Sequence, residues 1–336
     1  MQALVTAIDY HLPEAEVTSR QLAESYANWT EDKIVAKTGI ACRHIAAAGE
    51  CASDLAVAAA QKLFAAGAAR ADEIDYLLLC TQSPDYFLPT TACLVQHRLG
   101  LRTSIGALDF NLGCSGFVYG LGLARGLIAT EQARRVLLIT AETYSKFLRA
   151  EDVSTRTLFG DAAAAILIEA GNSVAGKPGG AIGPMVYGTD GAGARNLIVE
   201  RGGFRSLEAA RTGGEAATAE PPQLSMNGPE IFSFTLRAVP PAVAALLDRA
   251  GLTLDEIDLF VFHQANQFML EHLRDKLEIP PDKFFLAMRH CGNTVSSTIP
   301  IALRHALLEG QIRPGSKVML VGFGVGYSWG ATLLTW

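Results

Sequence analysis

Charge is scarce in this 336-residue chain: Asp, Glu, Lys and Arg make up 18% of it, against 49% hydrophobic residues. That balance excludes general disorder, which requires low hydrophobicity and high net charge. Positive charge is in deficit, with a formal net charge of -6. A nucleic-acid binder normally carries a basic patch or stripe, so that class is not expected, and any anionic ligand must be met by local basic residues. The six cysteines, Cys42, Cys51, Cys80, Cys93, Cys114 and Cys291, form no Cys-x-x-Cys pair and show no metal-ligand spacing, so no metal site is expected. Free thiols in a reducing cytoplasm account for them. No apolar run approaches the roughly 20 residues that a membrane helix needs. The first residues carry no basic stretch ahead of their apolar ones and reach Asp9 too early for a signal peptide. A cytoplasmic protein without membrane or nucleic-acid partners is expected.

What the chain does have is short apolar runs alternating with helical patterns. Residues 3–8, 75–80, 107–112, 135–141 and 162–168 read as strands, and 53–66, 89–99 and 115–129 as helices. Strands alternating with helices predict an α/β protein with a mostly parallel sheet covered on both faces. At this length two core-forming units or one duplicated unit are expected.

Duplication is legible in the residues. Asp72-Glu-Ile-Asp-Tyr-Leu-Leu-Leu-Cys80 returns as Asp255-Glu-Ile-Asp-Leu-Phe-Val-Phe-His263, 183 residues on. Arg135-Val-Leu-Leu-Ile-Thr-Ala returns as Lys317-Val-Met-Leu-Val-Gly-Phe, 182 residues on. Two matches of similar offset in the same order imply two α/β halves about a pseudo-twofold axis, at residues 1–175 and 176–336. Between them, residues 205–224 are rich in small residues and read as an exposed loop.

The chemistry centres on Gly106-Ala-Leu-Asp-Phe-Asn-Leu-Gly-Cys-Ser-Gly-Phe117, where Cys114 falls between a strand and a small-residue helix. Unpaired N–H groups at a helix N-terminus favour thiolate, the reactive form. The competing reading is a buried structural cysteine. The duplication brings His263, after an apolar strand, and Asn293, before the helix of the second half, toward the same axis. A Cys–His pair with an amide donor suits acyl chemistry: imidazole exchanges protons or hydrogen-bonds an acyl oxygen, and the amide stabilises an oxyanion without titrating. Taken singly, His263 reads equally as a satisfied histidine at a strand end and Asn293 as a turn residue beside Gly292.

The stretch around Cys114, His263-Gln-Ala-Asn266, Gly292-Asn-Thr-Val-Ser-Ser-Thr-Ile-Pro300 and Gly322-Phe-Gly-Val-Gly-Tyr-Ser-Trp-Gly330 together resemble the thiolase-fold beta-ketoacyl-acyl carrier protein synthase III family, with Phe159-Gly-Asp161 and Tyr187-Gly-Thr-Asp-Gly191 as further landmarks. The resemblance spans nearly the whole chain. It implies a duplicated five-layered α-β-α-β-α fold and an acyltransferase. Cys114 then resembles the acyl-accepting nucleophile, His263 the histidine assisting decarboxylation and carbonyl activation, and Asn293 its partner amide. Backbone N–H groups of Cys114 and Val325 form the implied oxyanion hole.

The same resemblance implies acyl-CoA or acyl carrier protein thioesters as substrates, with no permanently bound cofactor, and a homodimer through the first-half sheet. Lys33 stands where many members have a tryptophan that stacks on the coenzyme A adenine, with Trp29 close by. Phe268 replaces an arginine two residues after the His-Gln-Ala-Asn266 tetrad, and Asp275 a docking lysine. Val325 replaces a frequent glycine, and Leu88 a bulkier aromatic that limits the acyl pocket, which points to a longer or branched primer. The implied reaction is a decarboxylative Claisen condensation with a malonyl thioester, in fatty-acid or specialised polyketide synthesis. The alternatives are acyl transfer to a hydroxyl or amine of a small molecule, and a non-catalytic partner subunit.

Overall fold

The computed structural model describes residues 1–171, 179–206 and 221–336. The boundary expected at 175/176 falls outside the described residues, as does most of the loop expected at 205–224.

Nine strands form one mixed sheet. The first half contributes β1 (Gln2–His11), β4 (Tyr76–Cys80), β5 (Gly106–Phe110), β6 (Arg135–Glu142) and β7 (Ala162–Gly171); the second contributes β8 (Gly180–Thr189), β11 (Leu259–Phe262), β12 (Lys317–Gly324) and β13 (Ser328–Thr335). Their order is β11-β12-β13-β8-β1-β7-β6-β4-β5. Only β4–β5, β4–β6 and β11–β12 pair in parallel, so the sheet departs from the mostly parallel expectation. The reason lies in the connections: β12 turns back into β13 within residues 325–327, and β6 reaches β7 through an irregular segment whose one α-helix, Val153–Arg156, is only four residues long, so neither link is a full crossover helix and both pairs are antiparallel.

The continuous apolar runs are explained by burial on both faces. Successive strand residues point to opposite sides. Val136 and Leu138 of β6 enter a central core with Phe117, Leu121, Ile299 and Leu303, whereas Leu137 and Ile139 enter an outer core with Leu55, Ala59 and Leu63. In β12, Val318 and Leu320 join the central core while Met319 and Val321 join Phe234, Val243 and Leu246 in a second outer core. Three cores between two half-sheets make five layers. Helices α3 (Ala52–Ala65) and α4 (Thr91–Arg98) cover one outside, and α7 (Gly228–Ala250) and α8 (Gln267–Lys276) the other. Helices α5 (Gly116–Ala129) and α9 (Thr298–Leu308) fill the centre.

The halves correspond strand by strand, β4-β6-β7-β1 against β11-β12-β13-β8. Asp75 accepts from the backbone N–H of Arg135, and Asp258 accepts from that of Lys317, so the same knot is tied in each half. α7, the one described helix long and apolar enough to cross a membrane, packs its Phe234, Val239 and Leu246 into the second outer core.

Candidate active site

Cys114 sits in the turn between β5 and α5, at the C-terminal end of the parallel strands, where α/β sheets place their sites. Glycine makes the turn possible: at Gly116 a Cβ would run into Cys80 Sγ. Ser115 Oγ lies 2.7 Å from Ser328 Oγ, which donates to the Val325 carbonyl at 2.9 Å. These bonds pin the cysteine turn to the loop after β12.

Cys114 is 6% exposed, packed with Tyr144, Phe159, Leu197, Leu224 and Val295, with Val325 at the edge. The thiolate expected from a helix terminus is not the resting state. Burial pushes the thiol up to about 12 and the Glu142 carboxylate adds to the rise, outweighing hydrogen bonds from the backbone N–H groups of Cys114 and Val325. Those two N–H groups nevertheless favour charge at the sulfur. The positive φ of this loop falls on Gly326, at 129°, leaving Val325 free of the strain that a valine there would bear.

His263 follows β11 and is 2% exposed. Its Nδ1 lies 2.7 Å from Thr298 Oγ1, and burial alone lowers its pKa to about 3, so the ring is neutral. Asn293 is also buried; its Oδ1 accepts from Val295 N–H at 2.9 Å and its Nδ2 donates to the Ala265 carbonyl at 3.3 Å. One amide hydrogen therefore remains for a ligand. The Asn293 backbone pairs with Phe159, which packs on Cys114. Val295 itself is β-branched with φ at 55°, a sparsely populated conformation of the kind found at functional sites.

The other expected residues divide. In the His263-Gln-Ala-Asn266 tetrad, Gln264 is spent on the Phe262 carbonyl and the Ala287 N–H, and Asn266 caps α8 by accepting from Met269 N–H at 2.8 Å. Lys33, with Lys37, lies about the Trp29 ring, 5.0 and 5.1 Å from its centroid, on α2 (Glu31–Thr38) and away from the cysteine turn. Phe268 is 52% exposed, stacked on Phe232 and tilted against His272. Leu88 is 86% exposed.

Sequence reasoning missed Glu142. Its carboxylate is wholly buried at the end of β6, accepting from Gln82 N–H, Ser83 Oγ and Ser296 Oγ. No described cation pairs with it, and burial raises its pKa to about 8. A lone acid ending an apolar strand was the available signal.

A buried cysteine turn at the strand ends of one half, with a buried neutral histidine and a buried amide supplied by the other half, fits one class: a thiolase-fold condensing enzyme. Residues 108–202 match the model described as 3-oxoacyl-[acyl-carrier-protein (ACP)] synthase III, and 247–336 the model of its C-terminal part. Beta-ketoacyl-[acyl-carrier-protein] synthase III 3 of Streptomyces coelicolor is 38% identical over 99% of this chain and 97% of its own. A crystal structure of a 3-oxoacyl-(acyl-carrier-protein) synthase III superposes with a TM-score of 0.93 at 51% identity, covering 100% of both chains. The priming beta-ketosynthase of the R1128 polyketide pathway superposes with a TM-score of 0.87 at 27% identity, over 99% of this chain and 96% of that one. The chain belongs to the beta-ketoacyl-acyl carrier protein synthase III family, and it is an acyltransferase of the condensing type.

Proposed function

We propose that the chain joins an acyl primer, held as a thioester on Cys114, to a malonyl thioester with loss of carbon dioxide. The observation that carries this reading is the buried Cys114 turn, set in an apolar pocket and tied through Ser115 and Ser328 to the Val325 loop, whose backbone N–H, with that of Cys114, favours charge at the sulfur. Charge developing on an acyl oxygen bound there meets fixed donors, and removing one such donor typically costs about 100-fold to 1000-fold in rate.

In the first half-reaction Cys114 Sγ attacks an acyl thioester; its proton leaves with the departing thiol. Keeping the thiol neutral at rest protects it from oxidation and alkylation, since the thiolate is the reactive form. In the second, the malonyl C–C bond breaks, its electrons form an enolate, and carbon dioxide departs. The enolate carbon attacks the acyl carbonyl, the C–S bond breaks, and Cys114 recovers a proton. His263 and the free Asn293 Nδ2 hydrogen bind the enolate oxygen. Coenzyme A and acyl carrier protein, the latter through its phosphopantetheine thiol, are the carriers, and no resident cofactor takes part.

Among the described residues no strand lies on the outer edge of β5, and two copies joined there would continue the sheet as a homodimer. Trp29 and Lys33 sit on a surface suited to a nucleotide-bearing carrier, Phe268 and Asn266 on the face expected to meet a carrier protein, and Leu88 suits a longer or branched primer. Residues 1–175 would carry the nucleophile and 176–336 the histidine and amide.

The test is a panel of radiolabelled acyl thioesters followed by malonyl carrier protein. Label on Cys114, lost in Cys114→Ala, and malonyl-dependent carbon dioxide release are expected. Acylation without decarboxylation would instead favour transfer to a hydroxyl or amine acceptor.

A further inference from the structure

His263 is a catalytic histidine without an acidic partner. Among the described residues its ring has one hydrogen-bond partner, the Thr298 hydroxyl, 2.7 Å from Nδ1. Thr298 is buried at the start of α9, and its Oγ1 also lies 3.0 Å from the Val295 carbonyl. A hydroxyl has one proton to give. If it goes to Val295, Nδ1 must carry the ring proton and Nε2 is a bare acceptor. If it goes to Nδ1, the ring proton sits on Nε2 and faces outward as a donor.

Two observations favour the second arrangement. The contact to Nδ1 is the shorter one, and 3.0 Å is long for an O–H···O bond, whose usual length is about 2.7–2.8 Å. The ring lies in a fully buried setting with no carboxylate to draw a proton onto Nδ1, and it is neutral. The same turn orients the amide: Val295 N–H binds Asn293 Oδ1 and thereby fixes Nδ2 as the donor end, one hydrogen of which goes to the Ala265 carbonyl. Residues 295–298 therefore hold both members of the pair.

We propose that Thr298 is a positioning residue that sets the tautomer of His263, donating its hydroxyl proton to Nδ1 so that Nε2–H and Asn293 Nδ2–H act together as a two-donor clamp on the enolate oxygen. The inference deepens the condensation reading and rests on it. It carries a consequence for the first half-reaction. A ring with its proton on Nε2 has no lone pair to offer the Cys114 thiol, so His263 is not the base for acylation, and the thiol proton passes to the leaving thiolate. Thr298 then matters for decarboxylation and far less for self-acylation.

The test combines three readouts on wild type, Thr298→Val, which keeps the shape and loses the hydroxyl, and Thr298→Ser, which restores it. Nitrogen-15 NMR of histidine-labelled protein, assigned with His263→Asn, reads the tautomer directly and does not depend on any substrate. Single-turnover acylation and malonyl carrier protein decarboxylation are measured separately, and thermal unfolding checks the fold. The expected result is a proton on Nε2 in wild type, a mixed or reversed tautomer in Thr298→Val, decarboxylation lowered by at least about tenfold, acylation within about threefold, and recovery in Thr298→Ser. A wild-type ring protonated on Nδ1, decarboxylation unaffected in Thr298→Val, or equal loss of both steps would overturn the proposal. Absence of malonyl decarboxylation in wild type would instead overturn the condensation reading while the NMR result still judged the tautomer.

Discussion

Gly324 and Cys114 are in contact across a side chain that is not there: a Cβ at Gly324 would stand 2.8 Å from Cys114 Cβ and 2.9 Å from its Sγ. Both atoms belong to a buried cysteine whose turn is tied down by Ser115 and Ser328, so little can move away. Gly324→Ala is expected to shift the sulfur relative to its two backbone donors. A misplacement approaching 1 Å costs on the order of 100-fold in rate. Single-turnover acylation should therefore fall by about that factor, with thermal stability changed far less. Acylation at the wild-type rate would show that the turn yields more than its bonds allow.

After burial itself, the Glu142 carboxylate does most to raise the Cys114 pKa, and its own ionisation falls at about pH 8. Above that pH a negative charge appears beside the thiol and opposes its deprotonation. Glu142→Gln removes the charge at nearly constant volume, and the Ser296 hydroxyl, which donates to Oε1, can turn to accept from the new amide. The pH profile of Cys114 alkylation by iodoacetamide should move to lower pH by about one unit. An unchanged profile would dissociate the carboxylate from the nucleophile.

How much of this was legible beforehand depends on what each residue is held by. Strands 75–80 and 135–141 were readable because burial on both faces forces continuous apolar runs, and the two halves repeat them in order. The family motifs singled out Cys114, His263 and Asn293 as candidates. Strand direction was not readable, since the tight return from β12 to β13 and the irregular link from β6 to β7 carry no periodic signal. The capping bond of Asn266 to Met269 N–H was not readable either, because the resemblance marks the residue for substrate binding and carries no sign of its place at the start of a helix. Thr298 and Glu142 escaped notice because their importance lies in partners distant in sequence: Thr298 meets His263 35 residues away, and Glu142 meets Ser296 154 residues away.

His263 gives the protein a stability cost at acid pH. Its folded pKa is about 3 against 6.5 for the free side chain, so between these values the unfolded chain binds a proton that the folded chain does not. The contribution is fully present above pH 6.5 and is lost as pH falls toward 3, by up to about 1.4 kcal/mol for each unit. His263→Asn has no such term. Urea denaturation of both proteins at pH 7 and pH 5 should show the wild type losing more stability than the variant. Equal losses would mean that the ring becomes protonated in place, through a local opening.

Arg43 holds the edge of the site from behind. It is 1% exposed, and its guanidinium donates to the Thr157 carbonyl at 2.9 Å, to the Val17 carbonyl at 3.2 Å and to Ser19 Oγ. No described carboxylate pairs with it, and burial lowers its pKa to about 10. The arginine thus stitches β2 (Ala15–Thr18) to the segment that leads from Thr157 to Phe159, the residue in contact with Cys114. Arg43→Met keeps the apolar stem and strands these acceptors, each at roughly 1–3 kcal/mol when buried without a donor. A loss of about 3 kcal/mol in denaturant unfolding is expected, larger than for a like change at exposed Arg20, whose ion pair with Glu31 lies in solvent. If Arg43→Met cost no more than Arg20→Met, these acceptors must find water when the guanidinium leaves.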